Sequence, residues 1–143
     1  QQFKSVIETE RNLNVINKQI IIIDGGNMGH SENGEFSSFP IINFISSMKT
    51  SNVFILLILH QSRSIHFKDY IIDHDKLMIY YTPYNENDDM YWLLAGFMIK
   101  NSWVITNDLM RDHHVDKLDE VLFKRWKDNH IVSYSGFNIT KQF

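Results

Sequence analysis

The 143-residue chain is 43% hydrophobic and 22% charged, which allows one compact domain, leaves no room for two, and excludes a disordered chain. It has no cysteine, so a disulfide framework and a thiolate zinc site are excluded within these residues. Its formal charge of −3 excludes a polybasic nucleic-acid sponge or a basic membrane clamp. The longest apolar run, Val53 to Leu59, is far too short to span a bilayer. A chain that opens on Gln1 rather than Met is expected to be a piece of a longer protein.

In chain order, Phe3 to Ile16 reads as a lead-in helix within residues 1–18. Gln19 to Ile23 is a β-branched run that stops at Asp24-Gly25-Gly26-Asn27. Phe39 to Met48 has helical spacing, with Ile42, Phe44, Ile45 and Met48 as the apolar stripe. Asn52 to His60 reads as a strand buried on both faces, and Leu77 to Tyr81 as a third strand ending at Thr82-Pro83. Asp88 to Lys100 is predicted as a helix, apolar almost all round and therefore buried. Trp103 to Thr106 forms a fourth strand, Asp119 to Asn129 a further helix and Ile131 to Tyr134 a fifth strand. No internal repeat or Gly/Ser-rich linker divides the chain. Continuous apolar strands alternating with helices predict an α/β fold, a three-layer sandwich around a parallel sheet, as one domain over residues 1–143.

In such open sheets, ligands bind outside the carboxyl ends of the strands, at the topological switch point. That rule gathers Asp24 after the first strand, Asn107 and Asp108 after the fourth, and Asp88-Asp89 at the start of the intervening helix. Each has a structural reading of its own. Asp24 is a turn former before glycines, Asp88-Asp89 supply a cap favoured by the helix dipole, and Asp108 caps a following turn with Asp112 on its face. Together, four or five carboxylates at one rim require cations. Hard oxygen donors without cysteine select Mg²⁺, or Mn²⁺ in its place, over zinc. Two such ions about 4 Å apart are how many nucleases hydrolyse phosphodiesters.

Specific segments then match a known family. Asp24-Gly25-Gly26-Asn27-Met28-Gly29 resembles the opening of NYN/PIN-like metallonucleases. Leu59-His60-Gln61-Ser62-Arg63, Tyr81-Thr82-Pro83 and Asn87-Asp88-Asp89-Met90-Tyr91-Trp92-Leu93 follow in order. Val104 to His113 and Phe123 to His130 complete the pattern. Over residues 19–135 this resembles the nuclease domain of proteinaceous RNase P, the protein-only enzyme that trims precursor tRNA.

The resemblance implies a metal-dependent endoribonuclease that removes the 5′ leader of precursor tRNA by two-metal-ion hydrolysis. It implies Asp24, Asp88, Asp89 and Asp108 as metal-binding and catalytic residues. Asn27, Asn107, Arg111, Asp112 and His113 would support them or position substrate. The family has Gly-Ala-Asn where this chain has Gly25-Gly26-Asn27, and Trp where it has Met90. The family's structural zinc, held by cysteines and a histidine, cannot exist in these residues. Its tRNA-gripping repeat arm is also absent from them, so an RNA-binding arm or partner subunit outside this segment is expected.

His60, Arg63, Lys124, Arg125 and Lys127 are candidate RNA contacts; the first two read equally as ordinary loop residues, and the last three read first as a solvated helix face. His113-His114 lacks the partner spacing of a zinc site, and Trp92, Trp103 and Trp126 read as core rather than base-stacking platforms. Two rivals remain: a Regnase-type NYN ribonuclease acting on other structured RNA, and a non-catalytic RNA-binding scaffold. The expected location is intracellular, in nucleus, mitochondrion or cytoplasm, with no membrane partner.

Overall fold

The computed structural model describes residues 3–5, 7–8, 19–30, 34–68, 76–99, 101–108, 117–135 and 138–139, with side chains omitted at 117–123, 135 and 138–139. Five strands form one sheet: β1 (Gln19–Asp24), β2 (Val53–His60), β3 (Leu77–Thr82), β4 (Ser102–Ile105) and β5 (Ile131–Val132). Their order is β3-β2-β1-β4-β5, and every neighbouring pair is parallel. The chain thus builds outward from β1 through β2 to β3, then returns to the other side of β1. The switch point falls between β1 and β4, where a parallel sheet opens a crevice at its carboxyl edge.

The isoleucine run of β1 needs two cores, and it has them. Ile21 and Ile23 pack with Ile55, Leu57 and Leu59 of β2 against helix α2 (Phe39–Ser47) and the short helix α1 (Gly25–Gly29). Ile20 and Ile22 face the other way, with Leu56, Ile58 and Val104, onto helix α3 (Asp88–Met98). All four isoleucines of β1 are fully buried, as alternation across a doubly covered sheet requires. Phe3 and Ile7, from helical residues at the N-terminus, join the α3 side, where Phe3 lies 4.9 Å from the rings of Tyr80 and Tyr91. The remainder of the expected lead-in helix lies outside the described residues. Helix α4 (Lys117–His130) adds Trp126, whose ring stacks on Phe97 at 4.3 Å.

Four local readings change. The residues after Asp24 form a helical turn rather than a bare loop: Asp24 caps α1 by accepting the Asn27 amide. The stripe of α2 is centred on Ile41, Phe44 and Ile45, with Ile42 only partly covered. The fifth strand stops at Val132; Tyr134–Ser135 (β6) leaves the main sheet and pairs antiparallel with Asn138–Ile139 (β7). Helix α3 is not buried all round. Trp92, Leu93 and Ala95 face the core, whereas Met90, Leu94, Phe97 and Met98 reach solvent. No described helix is long and apolar enough to cross a membrane.

Candidate metal and RNA-cleavage site

The carboxyl rim at the switch point collects residues from four segments. Asp24 ends β1 and is 2% exposed. Its Oδ1 accepts the Asn27 amide at 3.2 Å, and its Oδ2 accepts the hydroxyl of Thr106 at 2.8 Å. Thr106, just past β4, is also buried, and its oxygen accepts the Asp108 amide at 3.0 Å. The Thr106 hydroxyl, 82 positions along the chain from Asp24, therefore ties the Asp24 carboxylate to the backbone of Asp108.

Asp88 and Asp89 arrive on the first turn of α3. Asn87 caps that helix by accepting the Asp89 amide at 2.9 Å, and the buried Trp92 indole donates to Asp89 Oδ1 at 3.1 Å. A cap and an indole thus fix the turn that carries both acids. Gly26 makes room on the opposite wall: a β-carbon there would stand 2.9 Å from Asp88 Oδ2.

Asp24, Asp88 and Asp89 each offer one carboxylate oxygen, and these oxygens lie within 4.8 Å of one another. With Gly26, Asn27, His30 and Asp108 they line a cavity of about 240 Å³. Burial pushes the Asp24 carboxyl up to about 7; the Thr106 and Asn27 hydrogen bonds pull it back, and the charges of Asp89 and Asp88 raise it further. An all-carboxylate donor set of this density fits a hard divalent cation, whose charge would favour the ionised form of all three.

A second network braces this site. Asn27 Oδ1 accepts both the Asn107 amide at 2.9 Å and the Tyr134 hydroxyl at 2.7 Å. The Asn107 side chain in turn holds the Tyr134 main chain at both ends, donating to its carbonyl at 2.9 Å and accepting its amide at 3.0 Å. Burial, then the nearby Asp24 charge, raises the Tyr134 phenol to about 12, so it stays a donor.

The structure therefore places Asp24, Asn27, Asp88, Asp89 and Asp108 around one cavity, with Asn107 beside them. His60 and Arg63 stand elsewhere on the rim. His60 Nδ1 accepts the Ser62 amide at 3.2 Å and its Nε2 faces the Tyr84 carbonyl at 3.0 Å, which fixes the proton on Nε2. The Arg63 guanidinium lies over the Phe36 ring at 4.7 Å. Lys124 and Arg125 are exposed on α4, and Lys127 lines a neighbouring cavity. Arg111, Asp112 and His113 lie outside the described residues. Thr106, Tyr134 and His30 had no assigned role in the sequence reading. Thr106 sits directly before Asn107-Asp108 at a strand end, a position that could have flagged it; Tyr134 and His30 carry no such signal.

A parallel α/β sandwich with clustered carboxylates at its switch point defines an α/β domain with a candidate metal centre. The sequence matches the family described as protein-only RNase P over residues 4–143. Among curated Arabidopsis thaliana proteins it is 32% identical over 128 residues to Proteinaceous RNase P 2. It is 35% identical over 125 residues to the chloroplastic/mitochondrial Proteinaceous RNase P 1. Each alignment takes in 80% of this chain but only 24% and 22% of those proteins, so the chain spans about a quarter of their length. The fold is similar to the crystal structure of nuclear proteinaceous RNase P 2 from A. thaliana, with a TM-score of 0.67 at 24% identity, over 97% of this chain and 35% of that one. The chain belongs to the protein-only RNase P family.

Proposed function

We propose that this chain is the metallonuclease domain of an RNase P that hydrolyses the bond between the 5′ leader and the body of precursor tRNA. The carrying observation is the convergence of the Asp24, Asp88 and Asp89 oxygens within 4.8 Å at the switch point. We assign Asp24, Asp88, Asp89 and Asp108 to hold two Mg²⁺ ions, with Mn²⁺ able to replace them. Divalent cations so held supply a nucleophilic water at neutral pH and offset phosphate charge. Asn27 and Thr106 each hold one oxygen of Asp24, which fixes the orientation of its carboxylate at the cavity. Trp92 does the same for Asp89. Water adds to phosphorus, the bond to the leader's 3′ oxygen breaks and that oxygen takes a proton. The products are a 5′-phosphate on the tRNA and a 3′-hydroxyl on the leader.

Arg111, Asp112 and His113 are proposed to position substrate beside the acids, with His60, Arg63, Lys124, Arg125 and Lys127 as candidate backbone contacts. A domain with net charge −3 binds RNA weakly and with steep salt dependence, so most of the grip on tRNA is assigned to an arm or subunit beyond this segment. The names of its relatives place them in the nucleus or in chloroplasts and mitochondria, and an intracellular site of action follows for this protein.

The test is cleavage of 5′-labelled precursor tRNA in Mg²⁺, beside an unstructured RNA and an Asp88→Ala, Asp108→Ala double variant. One cut at the mature 5′ end, lost in the variant, is the expected result. Equal cutting of both RNAs would move specificity to other domains and favour a broader ribonuclease. No cutting by a folded sample would favour a scaffold.

A further inference from the structure

A second cavity, of about 640 Å³, adjoins the carboxylate cluster and shares Asp108 with it. It lies between the last turns of α4 and the segments that follow β4 and β5. Lys127 and Asp128 form one side, and Asn107, Ser133 and Tyr134 the other. Every residue of its lining except Ile131 carries a polar side-chain group, which suits a sugar-phosphate better than an apolar ligand. Its far wall is fixed in place by the two hydrogen bonds between Asn107 and the Tyr134 main chain. Tyr134 also reaches through to Asn27 of the smaller cavity, so the two spaces share a braced partition. A strand whose scissile phosphate occupies the 240 Å³ cavity must continue out of it, and this neighbour adjoins it at Asp108.

Given the nuclease reading above, we propose that this second cavity seats the ribose-phosphate next to the scissile bond, with Lys127 contacting its phosphate. Lys124 lies one turn earlier on the same helix and extends the positive face outward, and of the two acids that line the cavity Asp108 belongs to the proposed metal set. Contacts of this kind set the register of the strand rather than reading its sequence. In a nuclease, register decides which bond meets the metals.

The test uses the full-length protein and a set of precursor tRNAs, each carrying one neutral methylphosphonate at one of the two phosphates on either side of the cut. At one position the substitution should raise the wild-type KM several-fold with little change in kcat. Lys127→Ala should raise KM on unmodified RNA by a similar factor, lower the salt slope by about one, and lose all further response to that methylphosphonate. Lys127→Arg should restore both KM and the response. Equal sensitivity of wild type and Lys127→Ala at every position would overturn the proposal, as would an unchanged KM in Lys127→Ala. Failure of the wild type to cut unmodified precursor would instead remove the nuclease reading, and this one with it.

Discussion

The hydroxyl of Tyr134 donates to Asn27 Oδ1 at 2.7 Å, joining residues 107 positions apart on either side of the cluster. Asn27 in turn presents its amide to Asp24. Tyr134→Phe removes one donor and leaves the ring in place. It should lower stability by about 1 kcal/mol and weaken Mn²⁺ binding several-fold. Thermal melting and Mn²⁺ titration by electron paramagnetic resonance would check this; unchanged Mn²⁺ affinity would show that the brace does not reach Asp24.

The raised carboxyl of Asp24 has a definite sign. Its folded value, about 7, lies above the unfolded value of 3.8. Its stabilising contribution is therefore complete below pH 3.8 and is lost as pH rises through 7. In chelator, wild type should lose stability relative to Asp24→Asn between those limits, by at most roughly 4 kcal/mol, and no further above them. Divalent ions bind the ionised form, so their affinity should climb with pH up to about 7 and then level off. Melting in chelator and metal titration across that range would reveal both slopes.

Gly26→Ala should separate stability from metal binding. The added methyl would press on Asp88 Oδ2, the movable end of a short side chain. Melting temperature should change little while Mn²⁺ affinity and cleavage fall at least several-fold. A large loss of stability would mean that the backbone, not Asp88, gives way.

Gly96→Ala is the converse. Its β-carbon would lie 2.7 Å from Trp126 Cζ2 and 2.9 Å from Val104 Cγ2, both in packed positions away from the acids. Overpacking should outweigh the helix propensity of alanine and cost about 1–2 kcal/mol, or roughly 3–7 °C in melting temperature. Metal affinity of the folded fraction should be unchanged.

His60→Ala releases the loop that leads from β3 into Asp88. Nδ1 and Nε2 pin the Ser62 amide and the Tyr84 carbonyl, and the His60 ring meets Tyr84 edge-on at 5.9 Å. The loss should be about 1–2 kcal/mol, with faster hydrogen exchange over residues 83–87.

The core of this fold was legible because strands covered on both faces must be apolar at every position, and Ile20 to Ile23 and Val53 to Leu59 leave no other use for such runs. The meeting of Asp24 with Asp88 and Asp89 was legible once the sheet was parallel, since switch-point geometry does the rest. The partners of Thr106 and Tyr134 were not, because their bonds to Asp24 and Asn27 depend on a register between distant strands that no local pattern encodes. The α1 turn was hidden by its two glycines, which argue for a loop unless the capping bond from Asn27 is known. The solvent-facing Met90, Leu94, Phe97 and Met98 were misread because hydrophobicity alone cannot tell which side of an all-apolar helix finds a neighbour.

The central place of β1 has a consequence during synthesis. Four consecutive isoleucines leave the ribosome about 80 residues ahead of one of their two sheet partners, β4. At 5–20 residues per second that is roughly 4–16 s with at least one naked apolar edge, long enough for intermolecular pairing to compete. Gln19 and Asp24 flank the run as gatekeepers. On the nascent strand Asp24 is in water, so the acid that the finished fold buries first serves to keep neighbouring chains apart.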